Sequence, residues 1–131
     1  MPSDKLAPER DILAEVRQVY ACYESALLHH DVEALNAFFL ISPETVRYGL
    51  TEQSYGFDAI AAYRRASMPV PRQRRLLRTV FTVLSADVVC VSTEFTDPVT
   101  IGTGRQTQTW LRTTQGWKIA VAHVSASKGP G

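Results

Sequence analysis

The first third of the chain carries apolar residues at the spacing of an amphipathic helix. Between Asp11 and His30 they recur at steps of three and four residues, at Leu13, Val16, Tyr20, Tyr23 and Leu27. A stripe with this period covers one face of a helix. The pattern therefore predicts a long helix from Asp11 to His30, with the other faces exposed to solvent.

The same period predicts two shorter helices. Asp31 is suited to cap a helix that runs to Leu40. A third helix is predicted over Phe57–Ser67, where Arg64 and Arg65 are expected on the outer face. Between these two helices, Thr45–Gly56 alternates apolar and polar residues with a period of two, which predicts a short strand followed by a turn.

After Pro71 the period changes from that of helices to that of strands. Short turns separate four runs that are rich in Val, Thr, Phe, Ile and Trp: Arg75–Ser85, Asp87–Thr96, Thr100–Thr114 and Trp117–Ser127. Long strands with short connections predict an antiparallel meander, and both of its faces carry apolar side chains. Helices can cover one face, so the other lines a pocket or contacts another subunit. We predict an α+β cone, in which a curved sheet is closed by helices around a small-molecule cavity.

Size and charge narrow the classes of function. The 131 residues predict a single domain over residues 11–127, with a flexible arm at residues 1–10 and a flexible tail at residues 128–131. A net charge of +1 gives no reason to expect nucleic acid or an anionic membrane as a partner. No signal peptide and no apolar run of membrane-spanning length is seen, which favours the cytoplasm. No Cys/His cluster has metal-ligand spacing, so no metal or other cofactor is expected.

Arg47 is the most unusual residue of the predicted strand at Thr45–Gly56. It lies inside an otherwise apolar strand, on the opposite parity to Val46 and Tyr48. A guanidinium is rarely buried without an anion, because removal of its charge from water is costly. Arg47 therefore either points inward and meets an anion, or lies at a strand end where it is solvated or paired with a Glu.

Further polar residues fall on faces that are predicted to be buried. The ring of Tyr23 belongs to the apolar helical stripe, and its hydroxyl needs a partner, or reaches the rim of the core. Gln106, Gln108 and Trp110 share one face of a strand. Two amides beside an indole are typical of a polar pocket wall, although such ladders are equally common on a solvent-exposed face.

Three other features have a structural and a functional interpretation. His123 ends the apolar row of the last strand and is either a core imidazole or a pocket residue. Glu94 lies in mid-strand, as an ion-pair partner of an arginine or as a proton-transfer group. The basic run Arg72–Arg78 lacks interleaved aromatic residues, so we interpret it as a solvated rim and not as a nucleic-acid site.

Three stretches carry a resemblance to a known family. Thr45–Gly49 reads TVRYG and is followed by Tyr55-Gly56, Gly104–Trp110 reads GRQTQTW, and Gly116–Ser125 closes the chain. In these stretches, and over about Ile12 to Ser127, the chain resembles the AtzH-like family, which includes the oxalurate-catabolism protein HpxZ. This family is part of the SnoaL-like, nuclear-transport-factor-2-like superfamily. The resemblance implies a cone-shaped, cystatin-like fold that is usually a dimer through the open sheet face.

The resemblance also implies an activity. It indicates a cofactor-free decarboxylase of small N-carboxylated urea compounds such as 1,3-dicarboxyurea, which works beside amidohydrolases of nitrogen catabolism. The catalytic tyrosine and arginine of the family match Tyr23 and Arg47. We expect the remaining contacts to the small anionic ureido or carboxylate substrate from Tyr48, Gln106, Gln108, Trp110 and His123.

Two other functions stay open at this point. A non-catalytic module could bind a small carboxylate in the same cavity and support a neighbouring amidohydrolase. An isomerase or cyclase could use the same cone, but such proteins usually present an Asp or a His–Asp pair to a hydrophobic ligand. The guanidinium of Arg47 argues for a small anion instead.

Overall fold

The computed structural model describes the backbone of residues 2–127 and the side chains of residues 11–127. In this part of the chain three helices occur, namely α1 (Pro2–Leu28), α2 (Val32–Ala37) and α3 (Phe57–Ala66). The strands of the same part are β1 (Val46–Tyr48), β2 (Gln53–Tyr55), β3 (Arg75–Ser85), β4 (Val88–Thr96), β5 (Gly104–Thr113) and β6 (Gly116–Ala126). The predicted α+β class is confirmed.

The strands form one sheet in the order β2-β1-β6-β5-β4-β3. β1 runs parallel to β6, and every other neighbouring pair is antiparallel. The four long strands follow one another as hairpins, as the meander predicts. The short β2 lies where the sequence predicts only a turn, because Gln53–Tyr55 pairs with β1. The sheet is curved and does not close on itself.

The structure describes the backbone near the start of the chain, but not the last four residues. α1 begins at Pro2, earlier than the predicted start at Asp11, so residues 2–10 are helical where we predicted an arm. Proline is well suited to a helix start because its missing N–H is not needed there. The flexibility of residues 1–10 stays a prediction, and the predicted tail at residues 128–131 lies outside the described residues.

α2 ends at Ala37, three residues before the predicted end at Leu40. The chain leaves the helix because it pairs with the last strand: Leu40 N donates to Ile119 O at 2.9 Å, and Ile119 N donates to Phe38 O at 2.7 Å. At the start of α2, the Asp31 side chain accepts a hydrogen bond from the backbone of Ala34, as expected for a cap. The second helix is thereby fixed to β6.

An irregularity in β6 decides which of its side chains face the helices. The pairing between β5 and β6 shifts after Thr109, which leaves Ala120 as an extra residue in β6. A β-bulge of this kind breaks the alternation of side chains. Ile119 and Ala122 are consequently both buried, whereas His123 is exposed on the other face.

The hydrophobic core lies between the helices and the inner face of the sheet. Its fully buried members include Val16, Leu35, Val89, Trp110 and Ile119. On the outer face of the sheet no helix of residues 2–127 covers the strands, and large apolar side chains such as Val80, Leu84 and Val121 are exposed. Within residues 2–127, no helix is both long and apolar enough to cross a membrane.

Candidate functional site

A cavity of about 340 Å³ lies between the helices and the inner face of the sheet, a size suited to a small ligand. Its wall takes residues from α1, β1, α3, the segment that follows α3, and strands β4 to β6. The polar side chains on the wall include those of Tyr23, Arg47, Glu52, Tyr63, Arg64, Arg74, Asp97, Gln106 and Gln108. Four predicted site residues therefore meet at one cavity: Tyr23, Arg47, Gln106 and Gln108.

Arg47 enters the cavity wall from β1, and its side chain is only 11% exposed. Its Nη1 donates to Oε1 of Glu52 at 2.7 Å, and its Cζ lies 4.6 Å from the ring centroid of Tyr63. Partial burial raises the pKa of Glu52, but the hydrogen bond and charge of Arg47, together with hydrogen bonds from Thr51 and Tyr63, outweigh this effect and the net pKa is lowered. Both sequence alternatives hold in part, because Arg47 points inward and is also paired with a Glu.

Glycine at position 49 makes this ion pair possible. Gly49 N donates to the backbone oxygen of Glu52 at 2.8 Å, which closes the turn between β1 and β2. A Cβ at position 49 would overlap the Glu52 carboxylate. The glycine of the TVRYG stretch therefore leaves room for the carboxylate that Arg47 holds.

Tyr23 lies on the buried face of α1, with 3% of its surface exposed. Its ring packs edge-to-face against Phe38 at 5.7 Å and Trp110 at 6.0 Å between centroids. Tyr20, one turn earlier, engages its hydroxyl with Thr93 Oγ1 at 2.6 Å. No such side-chain hydrogen bond is found for the Tyr23 hydroxyl within residues 11–127, and Tyr23 lines the cavity.

A buried polar network stands beside the cavity. Arg74 donates through Nε and Nη2 to the two oxygens of Glu24, at 3.1 and 3.2 Å. Gln106 joins them, since its Nε2 donates to Glu24 Oε2 at 3.1 Å and to the Tyr20 hydroxyl at 3.0 Å. Burial, followed by the charge of Glu24, raises the pKa of Tyr20 far above its usual range. Tyr20 is therefore a neutral member of this network.

Sequence reasoning missed both charged members of that network. Arg74 was expected on a solvated rim, but its side chain is 4% exposed and packs on the Phe95 ring at 4.0 Å from the centroid. Arg72, Arg75 and Arg78 are exposed, as expected for a rim. Glu24 could have been noticed, because it lies four residues after Tyr20 and so shares its buried face of α1.

Gln108 and Trp110 occupy different layers of the wall. Gln108 lines the cavity and is 1% exposed, with Oε1 accepting a hydrogen bond from Trp110 Nε1 at 3.0 Å. Trp110 is fully buried behind it and does not line the cavity. The prediction that Trp110 contacts a ligand is corrected accordingly: its indole orients the Gln108 amide.

Tyr48 and His123 lie outside the cavity, and the prediction that they line it is wrong in geometry. Tyr48 alternates with Arg47 along β1 and so points the other way. It pairs with His123 of β6, and the two rings meet at 5.5 Å between centroids on the outer face. The bulge in β6 explains the error for His123, because it moves that side chain to the face opposite Ile119. Glu94 also lies on the outer face, across from Arg105.

Arg64 is the residue of the wall that sequence reasoning placed on the wrong side of its helix. We expected it outside with Arg65, but it is 5% exposed and lines the cavity. Its position matches that of Ile60 and Ala61, which are also buried and lie four and three residues earlier. The helical period contained this signal, and only the charge of arginine argued against it.

No metal site is evident in the described part of the chain. Within it, no group of three or more His, Cys, Asp or Glu residues is placed to hold a metal ion.

Comparisons with known proteins agree on the family and the fold. The family model described as AtzH-like matches residues 6–129. The chain belongs to the AtzH-like family. A comparison of this AtzH-like chain with the curated proteins found no match.

Solved structures of similar proteins place the AtzH-like chain in the same fold. A cystatin-like fold protein from Burkholderia xenovorans LB400 is 49% identical, with a TM-score of 0.88, over 92% of this chain and 95% of that one. A protein with unknown function of the DUF3225 family, from Pectobacterium atrosepticum SCRI1043, is 41% identical, with a TM-score of 0.85, over 90% and 92%. A nuclear transport factor 2-like superfamily protein from Salmonella enterica serovar Typhimurium shares the fold at 20% identity and a TM-score of 0.75, over 94% and 96%.

Proposed function

We propose that the protein is a cofactor-independent decarboxylase of a small N-carboxylated urea compound, such as 1,3-dicarboxyurea, in cytoplasmic nitrogen catabolism. The observation that carries the proposal is that Arg47 and Tyr23 line the same cavity. These residues match the catalytic pair that the AtzH-like resemblance implies. The cavity volume of about 340 Å³ suits a compound of this size.

Arg47 would bind the carboxylate that leaves. A guanidinium can hold a carboxylate through two parallel hydrogen bonds, and these are stronger in a site that excludes water. Its Nη1 is already engaged with Glu52 at 2.7 Å, so the pair fixes the direction of the remaining N–H groups. Glu52 acts here as a positioning residue for Arg47.

Tyr23 would supply the proton. As the bond between nitrogen and the carboxyl carbon breaks, its electron pair stays on nitrogen and CO₂ departs. The nitrogen takes the proton of the Tyr23 hydroxyl, and the phenolate then regains a proton from water. General acid help of this kind increases a rate by about 10²- to 10⁴-fold. Gln108 lies on the same wall, and its amide NH₂ group would donate to the urea carbonyl.

Purified protein should be supplied with 1,3-dicarboxyurea, oxalurate and related ureido acids while CO₂ release is followed against buffer alone. The proposal expects release well above the buffer rate for at least the dicarboxylated urea. Saturable binding of these compounds without release would favour the alternative, a carboxylate-binding module that supports an amidohydrolase.

We also propose that two copies associate through the outer sheet face, as the family resemblance implies. Val80 and Val121 are exposed on that face, with Arg105 and Thr107 between them. Light scattering of the protein as it elutes from a size-exclusion column should give the mass of a dimer. The Val121→Asp variant should elute with the mass of a monomer. A monomeric wild type would contradict this proposal.

A further inference from the structure

Arg64 is the arginine of the cavity wall that has no carboxylate partner within residues 11–127. Arg47 is paired with Glu52, and Arg74 with Glu24. Arg64 is 5% exposed, and its buried Nε has no hydrogen-bond partner in this part of the chain. Among the side chains that the structure describes, one positive charge of the wall is therefore uncompensated by an ion pair.

Such an arrangement is unfavourable. A buried N–H without an acceptor loses its hydrogen bonds to water and gains none in return. A buried charge without a counterion is costlier still. Arg64 also lines the cavity, so an anion there would supply the opposite charge that its guanidinium lacks.

Asp97 is the remaining acidic residue of the wall, and it does not fill this role. Its Oδ1 accepts hydrogen bonds from Val99 N at 2.8 Å and Thr100 N at 2.7 Å, and its Oδ2 accepts one from the Thr100 hydroxyl at 3.1 Å. Its carboxylate forms no ion pair with Arg64. The Asp97 carboxylate is therefore occupied by hydrogen bonds from its own loop.

Arg64 and Arg47 both lie near the ring of Tyr63. The Cζ of Arg64 lies 5.9 Å from the ring centroid of Tyr63, and the Cζ of Arg47 lies 4.6 Å from the same point. Both side chains line the cavity. A short ligand with a carboxylate at each end can therefore reach both guanidinium groups.

We propose that Arg64 is a ligand-binding residue, which holds one carboxylate of a small dianion while Arg47 holds the other. The cavity thereby selects dicarboxylates over monocarboxylates. The identity of the natural dianion rests on the proposed function. The binding step itself needs no turnover, so the two can be tested apart.

The test is a calorimetric titration of wild type, Arg64→Met and Arg65→Met with malonate and with acetate. Methionine keeps most of the length of the side chain and removes its charge. We expect wild type to bind malonate more tightly than acetate. Arg64→Met should weaken malonate binding by roughly 10- to 100-fold, the worth of a charged hydrogen bond, and leave acetate binding unchanged. Arg65→Met, an exposed neighbour with the same charge change, should stay within about twofold of wild type.

The inference is overturned if Arg64→Met binds malonate as wild type does, or if wild type shows no malonate binding or no preference over acetate. Circular dichroism confirms that each titrated variant is folded. If Arg64→Met is not folded, Arg64→Lys, which keeps the charge, is titrated in its place. CO₂ release from 1,3-dicarboxyurea is measured in parallel. Release without Arg64-dependent malonate binding refutes this inference alone, whereas Arg64-dependent binding without release refutes the proposed reaction alone.

Discussion

Nη1 of Arg47 lies 2.7 Å from Oε1 of Glu52, and both side chains belong to the wall of the same cavity. The arginine that the proposal assigns to the substrate is thus already paired with a carboxylate of the protein. The pair holds the guanidinium in place when no ligand is present. We therefore expect the affinity for an anion to depend also on Arg64, which has no carboxylate partner within residues 11–127.

The Arg47–Glu52 pair should make stability depend on pH in a defined direction. The pKa of Glu52 is lowered from its ordinary value of 4.5, so the folded protein favours the charged carboxylate. Stability from a lowered carboxyl pKa is present above the ordinary value and is lost as the pH falls through the folded pKa. We expect the difference in unfolding free energy between wild type and Glu52→Gln to be constant near neutral pH and to shrink at acidic pH. Urea unfolding from pH 7 to pH 3 measures it, and a difference that does not change with pH would contradict the assignment.

Removal of one partner of the buried Glu24–Arg74 pair should destabilise the fold strongly. Glu24→Gln leaves the Arg74 guanidinium, 4% exposed, without its counterion. We expect a loss of about 3 kcal/mol or more in the free energy of unfolding. Asp87→Asn is the control, because Asp87 is 69% exposed in its pair with Arg112 and should cost less than about 1 kcal/mol. Equal losses in urea titrations of the two variants would show that the buried network contributes no more than a surface pair.

The two tyrosines of α1 should separate catalysis from stability. Tyr23→Phe removes a hydroxyl that faces the cavity, so it should keep the fold and malonate affinity but lower the rate of CO₂ release by about 10²-fold or more. Tyr20→Phe removes a hydroxyl that is bonded to Thr93 and Gln106. Tyr20→Phe should lower the melting temperature, and it should lower the rate of CO₂ release less than Tyr23→Phe does. Full activity in Tyr23→Phe would remove that residue from the chemistry.

Local patterns were sufficient to predict the helices, the meander and the fold class, because the periods of helices and strands depend only on residues that are close in the sequence. They also predicted that the ring of Tyr23 faces inward, and they left two alternatives open for Arg47. The errors have specific causes. The position of His123 depends on the extra residue Ala120 in β6, and a bulge of this kind leaves little trace in an apolar run.

Errors about charged residues have another cause. Arg74 was expected in solvent as part of a basic run. The sequence did not reveal its partner Glu24, which is 50 residues away and is brought close only by the fold. Arg64 has the spacing of a buried residue on its helix, but we expected it in solvent because it is charged. In both cases the general rule that arginine is exposed led us to place a residue of the cavity wall in solvent.

The most direct test of the account is the rate of CO₂ release from 1,3-dicarboxyurea by wild type and by Arg47→Ala, measured at equal concentrations of folded protein. We expect fast release by wild type and a rate no higher than that of buffer alone for Arg47→Ala. Equal rates for the two proteins, both above buffer, would contradict the claim that this guanidinium carries the reaction.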